Sequence, residues 1–138
     1  MEGALSVILN ERSLFLLNLF VGLSVLLIVI LAMNISRLRI KHKVANGSGE
    51  NKEITKAIRA HMNSLEHILP FSLLLYVLQS QLISDNTFAI LAFSFLSIRV
   101  LHTYSMLCSK FKLRQITAAA TYFVELYGCV LVLVNAIN

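Results

Sequence analysis

The stretch SLFLLNLFVGLSVLLIVILAMNIS, residues 13–36, contains 24 residues and no charged side chain. A helix needs about 20 predominantly apolar residues to cross the hydrocarbon core of a bilayer. The stretch is therefore predicted to be a transmembrane helix. The composition of the whole chain agrees, because only 14% of its 138 residues are charged, against about 25% in an average soluble domain. The mean hydropathy is +0.77, which also favours a membrane protein.

Three further apolar segments follow the first. They are predicted to be helices at about 53–84, 87–109 and 115–137. The connection RLRIKHKVANGSGENKE after the first helix is basic and then rich in Gly, Ser and Asn, which is typical of a solvated loop. Short polar turns separate the later segments. The expected fold is all-α: one integral membrane domain over residues 1–138, a bundle of four transmembrane helices.

The twelve Lys and Arg residues are concentrated at two connections. Seven lie within residues 37–59, three lie within residues 110–114, and the other two are Arg12 and Arg99. In an up-down-up-down bundle both basic connections lie on the same side, which the positive-inside rule places in the cytoplasm. Nucleic-acid binding is not expected, because the basic turns lack the interleaved aromatic side chains of single-strand binders.

Polar side chains interrupt the second and third segments. On a helix, Arg59, Asn63 and Glu66 share one face, and Arg99 and His102 share another. Ionisable residues at membrane depth are rare, and they usually pair with one another or mark a functional site. Two expectations follow: Glu66 and Arg99 form an ion pair between helices, and the cluster forms a cationic pocket near the cytoplasmic face. Arginines there would hold carboxylates and the glutamate would receive an ammonium group.

The remaining candidates for chemistry have simpler interpretations. Cys108 and Cys129 lack the spacing of a metal site or redox motif, and no metal site is predicted. His61 and His67 are expected at the surface or in hydrogen bonds between helices. Glu125 is expected to hydrogen-bond at a subunit contact or to be neutral.

Two motifs carry a family resemblance. IRAHMNSLEHILPF, residues 58–71, resembles the signature of the MAPEG family, the membrane-associated proteins in eicosanoid and glutathione metabolism. The family pattern is Arg, Asn four residues later, Glu three after that and Pro four further on, here Arg59, Asn63, Glu66 and Pro70. RVLHTY, residues 99–104, is similar to the Arg-x-x-His-Thr stretch of the family's third helix. The resemblance covers essentially the whole chain.

The resemblance implies a homotrimer that binds glutathione between neighbouring subunits near the cytoplasmic side. It also implies that Arg114 stabilises the glutathione thiolate, which would attack lipophilic molecules arriving from the bilayer. By position, the residues that would hold or line the glutathione site are Arg37, Arg39, Arg59, Asn63, Glu66 and His102. The short first connection is most similar to compact bacterial members, so a bacterial inner membrane is expected, with the endoplasmic reticulum as the alternative.

The chain departs from the family's eicosanoid-making members at the site. Met62 replaces a second arginine, and Met106 stands where a tyrosine is common, with Tyr104 on a different helical face. The leading hypothesis is a microsomal-type glutathione transferase, or a peroxidase acting on lipid hydroperoxides. The alternative is a non-catalytic protein that keeps the scaffold and binds a lipid or another anionic ligand. A small transporter is a weaker idea, because there is no sign of a second, inverted half.

Overall fold

The computed structural model of the chain describes residues 2–81 and 83–137, with side chains described from residue 11 onward. These residues form four helices and no strand, as the sequence predicts. The helices are α1 (Glu2–His42), α2 (Lys52–Ser80), α3 (Asp85–Leu107) and α4 (Phe111–Ile137).

Three of the helices are long and apolar enough to cross a membrane within the described residues. The candidate spans are Glu11–His42 in α1, Asp85–Leu107 in α3 and Phe111–Ile137 in α4. With 29 residues, α2 is roughly 43 Å long at 1.5 Å per residue. Polar residues such as Asn63, Glu66 and His67 keep its mean hydropathy too low for α2 to count among the spans. The fourth transmembrane helix therefore stays a prediction.

The first helix is longer than predicted, because a loss of hydropathy does not end a helix. It runs on to His42, six residues past the predicted end, and its last turn contains Arg39, Lys41 and His42. Cationic side chains near a helix C-terminus interact favourably with the helix dipole and with the last carbonyls. The basic stretch 37–42, which the sequence predicts to begin a loop, is therefore helical.

Capping side chains set the later boundaries. The Asn51 side chain accepts hydrogen bonds from the backbone N–H of Glu53 at 2.9 Å and of Ile54 at 3.2 Å, so α2 begins at Lys52. The helix ends at Ser80 rather than near 84, because Ser84 caps the next helix by accepting from the Thr87 N–H at 3.3 Å. The fourth helix begins at Phe111, four residues before the predicted start.

The two middle helices form the centre of the bundle. Both α2 and α3 pack against α1 and α4, whereas α1 and α4 do not contact each other among the described residues. The rings of Phe71 on α2 and Phe95 on α3 stack with their centroids 3.7 Å apart. Phe20 of α1 lies 5.9 Å from the first ring and 6.2 Å from the second. This buried aromatic cluster joins three helices, with dispersion and aromatic contacts as the main stabilising terms.

Hydrogen bonds between polar side chains also join the helices, and we call this set of side chains the polar layer. It consists of side chains from α2, α3 and α4 joined by hydrogen bonds between helices. Its members are Asn63, Ser64, His67, Arg99, His102, Thr103, Thr117, Thr121 and Glu125. Among the residues with described side chains, α1 contributes none to this layer. Its polar contacts with other helices include two pairs outside the layer, Arg12 with Asp85 of α3 at 4.0 Å and His42 with Glu53 of α2 at 3.0 Å. The polar layer therefore joins only the three later helices.

Candidate functional site

A cavity of about 240 Å³ opens at the end of the bundle formed by the α1–α2 loop and the α3–α4 turn. We call this end the cationic end, because ten of the twelve Lys and Arg residues lie in or beside these two connections. The lining comes from three helices and the α3–α4 turn: Lys56, Arg59, Ser105, Met106, Ser109, Phe111 and Arg114. We call it the arginine cavity. It brings together two of the predicted site residues, Arg59 and Arg114, which are far apart in the sequence.

The tight turn after α3 creates one wall of this cavity. The backbone N–H of Lys110 donates to the carbonyl of Ser105 at 2.8 Å, and Ser109 adopts a positive φ of 55°. The chain therefore reverses within three residues and begins α4 at once. This reversal places Arg114, in the first turn of α4, opposite the end of α3. The facing wall is the exposed side of α2 that carries Arg59.

The chemistry of the lining is cationic. Lys56, Arg59 and Arg114 contribute a positive charge each, and none of the side chains described in the lining is acidic. A guanidinium binds a carboxylate through two parallel hydrogen bonds, and it favours the anionic form of a nearby thiol. The cavity therefore fits a small anion, and in particular a carboxylate or a thiolate.

The two arginines predicted at the end of α1 lie elsewhere. Arg37 lines a neighbouring cavity of about 440 Å³ together with Lys41, Glu53 and Lys56, which we call the Arg37 cavity. Its guanidinium also donates to the Asn34 side chain at 3.0 Å. Arg39 instead donates to the carbonyl of Gly47 at 3.2 Å and holds the loop.

The predicted ion pair between Glu66 and Arg99 is wrong. The guanidinium of Arg99, which is 1% exposed, donates to the Asn63 side-chain oxygen at 2.7 Å and to the Asn63 carbonyl at 3.0 Å. A longer contact of 3.4 Å joins it to Thr121, and the acid that attracts it electrostatically is Glu125. Glu66 is exposed on α2. Arg99 does not pair with Glu66 because its guanidinium points toward Thr121 on α4 as well as toward Asn63 on α2.

Two more of the predicted ligand-binding residues lie outside the arginine cavity. Asn63 belongs to the polar layer through its bond to Arg99, and Glu66 is absent from the lining. The amide and the acid expected to point into the pocket with the arginines are therefore not part of its wall in this protomer.

His102 lies behind the arginine cavity and is 4% exposed. Its Nδ1 lies 2.9 Å from the hydroxyl oxygen of Thr117 on α4. The same hydroxyl lies 2.8 Å from the carbonyl oxygen of Leu113 and 3.2 Å from that of Arg114. When it donates its single proton to one of these carbonyls, Nδ1 is the donor in the contact with Thr117. The backbone carbonyl of His102 also accepts a hydrogen bond of 2.6 Å from the buried Ser105 hydroxyl. It supports the wall through Ser105 without lining the cavity itself.

A second histidine joins α2 to α4. His67 Nδ1 lies 2.8 Å from Glu125 Oε1, and the His67 ring lies 5.8 Å from that of Tyr122. The hydrogen bonding between helices expected of His67 is confirmed. The hydrogen-bond partner of Glu125 is thus His67 of the same protomer, whereas the sequence predicted a partner at a subunit contact.

Sequence reasoning missed four residues of the lining: Lys56, Ser105, Ser109 and Phe111. The available signal for Lys56 was its position three residues before Arg59, which places both on one side of α2. The other three depend on the geometry of the α3–α4 turn, for which the sequence held no comparable signal.

Taken together, the fold is that of a membrane-spanning α-helical bundle with a cationic cavity between the ends of three helices. The model of the MAPEG family matches residues 17–134, nearly the whole chain. The chain belongs to the MAPEG family, which includes glutathione-dependent transferases and related enzymes. The resemblance read from RAHMN and RVLHT is thereby confirmed. No curated protein and no solved structure matches the chain.

Proposed function

We propose that the protein is a glutathione-dependent membrane enzyme that uses Arg114 to stabilise the glutathione thiolate. The observation that carries the proposal is the meeting of Arg59 and Arg114 in one cavity with no acidic side chain in its lining. Family membership supports the same class of chemistry.

The chemical argument concerns the protonation state of the thiol. A free thiol has a pKa of about 8.5 and is mostly protonated at neutral pH, whereas only the thiolate is a good nucleophile. A guanidinium beside the sulfur favours the anion and generates the nucleophile without a separate base. Arg59 would hold a carboxylate of the same molecule. The thiolate sulfur would then bond to an electrophilic carbon as that carbon loses its leaving group. With a lipid hydroperoxide the sulfur would attack the terminal oxygen and break the O–O bond, which releases the lipid alcohol and leaves a sulfenic acid that a second glutathione converts to the disulfide and water.

The setting favours lipophilic second substrates. Three helices can cross a membrane, so a hydrophobic electrophile or lipid hydroperoxide dissolved in the bilayer would reach the cavity from the side. The proposal includes a homotrimer with glutathione held between subunits, where Asn63 and Glu66 would complete the site from a neighbouring protomer or after a local rearrangement. The exposure of Glu66 leaves it accessible for that role. We place the cationic end in the cytoplasm and the protein in a bacterial inner membrane.

One observation favours the non-catalytic alternative, in which the scaffold binds a lipid or another anionic ligand. Met106 lines the arginine cavity, where a tyrosine would supply a hydroxyl donor. A thioether accepts hydrogen bonds only weakly and donates none. The experiment below separates the two functions, because the alternative predicts anion binding without turnover.

The test compares Arg114→Ala with Lys112→Ala in the purified protein. Lys112 lies two residues earlier in the same turn and is outside the lining of the arginine cavity, so both variants lose one charge from the same region. Glutathione binding is measured with radiolabelled glutathione, ionisation of the bound thiol is followed by the ultraviolet absorbance of the thiolate, and turnover is measured with a lipophilic aryl halide and a lipid hydroperoxide.

We expect Arg114→Ala to lower kcat by about 100-fold or more, as removal of a group that stabilises developing charge does in other enzymes. The thiolate signal should vanish while most of the binding remains, and Lys112→Ala should resemble the wild type. Full activity in Arg114→Ala would remove this residue from the mechanism.

A further inference from the structure

Among the residues that the structure describes, Lys56 alone lines both the arginine cavity and the Arg37 cavity. It lies on α2, one turn before Arg59, with an exposed side chain. Among the described residues its ammonium group makes no hydrogen bond or ion pair. A lysine side chain is long and flexible and carries three rotatable donors. It can therefore reach a ligand in either cavity.

The charge around Lys56 differs between its two sides. The arginine cavity adds Arg59 and Arg114. The Arg37 cavity adds Arg37 and Lys41, together with one acid, Glu53. That acid is already engaged, because its Oε2 lies 3.2 Å from Lys41 Nζ and 3.0 Å from His42 Nε2. Each cavity thus keeps a net positive lining, and Lys56 stands between them.

From this arrangement we infer that Lys56 determines specificity for a thiol that carries two separate carboxylates. The thiol of the ligand lies beside Arg114 and one carboxylate lies beside Arg59. The second carboxylate, which in glutathione is that of the glycyl residue, lies toward Arg37 and is bound by Lys56. The inference rests on the proposed function and adds to it a selection among thiols: a peptide thiol with two carboxylates binds better than one with a single carboxylate.

The experiment measures binding of reduced glutathione and of its glycyl ethyl ester, which keeps the thiol and loses one carboxylate charge. Both are followed by thiolate absorbance in the full-length, detergent-purified protein. The variant is Lys56→Met, which keeps much of the aliphatic length. The matched control is Lys52→Met, one turn earlier on the same helix, because Lys52 lines neither cavity.

The wild type and Lys52→Met should bind glutathione about tenfold more tightly than the ester, the scale of one charge-assisted contact. Lys56→Met should bind both ligands with nearly equal affinity, because the second carboxylate has lost its partner. A general structural defect would weaken both ligands equally and leave the ratio at about tenfold.

The outcomes separate the two proposals. If Lys56→Met retains the preference for glutathione, or if the wild type has none, the inference about Lys56 is overturned while thiol binding by the arginine cavity stands. If the wild type shows no thiolate signal with either ligand, the proposed function falls, and the inference falls with it.

Discussion

Substituting Asn63 tests whether the polar layer stabilises the bundle. The side-chain oxygen of Asn63 accepts a hydrogen bond of 2.7 Å from Arg99, whose guanidinium is 1% exposed. Asn63→Ala removes this acceptor and leaves the buried cation with the Asn63 carbonyl, at 3.0 Å, and Thr121, at 3.4 Å. The Arg99 Nε already has no partner, so the remaining protein groups cannot replace the lost contact.

The magnitude follows from the kind of contact. Hydrogen bonds to charged groups contribute about 1.5–3 kcal/mol, and a buried group that loses its partner bears its desolvation cost. Neutral contacts between transmembrane helices average only about 0.6 kcal/mol, which favours the lower part of that range. We therefore expect Asn63→Ala to lower the free energy of unfolding by about 2 kcal/mol.

Asn34→Ala provides a matched control. Asn34 accepts a hydrogen bond of 3.0 Å from Arg37, but this pair is exposed and lies within one helix. Both substitutions change asparagine to alanine inside a helix, so the gain in helix propensity is the same. The exposed contact should contribute only about 0.2–0.5 kcal/mol. The difference between the two variants therefore measures the effect of burial.

The assay is unfolding in mixed micelles with an increasing fraction of a denaturing detergent, followed by the helical circular dichroism signal. A double-mutant cycle with Arg99→Met isolates the pair, since methionine fills much of the same volume without a charge. In that background Asn63→Ala should have little effect. Equal losses in both backgrounds, or equal losses for Asn63→Ala and Asn34→Ala, would refute the reasoning.

Two further predictions use the same unfolding assay. A Cβ added at Gly128 would lie 2.7 Å from the end of the Leu74 side chain, whereas one added at Gly22 would meet nothing within 4 Å. Gly22→Ala should therefore gain about 1 kcal/mol from helix propensity, whereas Gly128→Ala should gain less than Gly22→Ala, by up to about 1 kcal/mol, because the Leu74 side chain must move. The pKa of Glu53 is lowered, first by its hydrogen bond with His42 and then by Lys41, so its contribution to stability is complete above its ordinary pKa of 4.5 and is lost as the pH falls through the lowered value. Glu53→Gln should flatten the fall in stability between about pH 5 and pH 3, and an unchanged profile would contradict the assignment.

The helices could be predicted from sequence, but their packing faces could not. In α1 the buried positions include Leu17, Phe20 and Leu31, yet most of the side chains around them are equally apolar. A helix that is hydrophobic all round carries no signal for its buried face. The observed helix boundaries differ from the predicted ones for a related reason. Capping residues such as Asn51 and Ser84 determine where a helix begins, whereas hydropathy only marks where contact with lipid ends.

At the candidate site, the sequence predicted one juxtaposition of side chains correctly and one pair wrongly. Arg59 and Arg114 do meet in one cavity, an arrangement that the family resemblance implied. The spacing of Glu66 and Arg99 predicted a pair that does not form, because opposite charges on neighbouring helices also have competing partners, here Asn63 and Glu125. Residue spacing shows on which side of its own helix a side chain lies. It does not show how the neighbouring helix is rotated about its axis, and that rotation decides which side chains meet.

The polar layer also has a consequence for how the chain enters the membrane during synthesis. The first helix emerges from the ribosome with 24 uncharged residues and can partition into lipid by itself. The second emerges with Asn63 and His67, whose partners Arg99 and Glu125 have not yet been translated. We therefore expect α2 to remain at the translocon or at the bilayer surface until α3 and α4 arrive, so that the last three helices insert as one unit. A nascent chain released before α3 would keep its first helix anchored and leave the second outside the hydrocarbon.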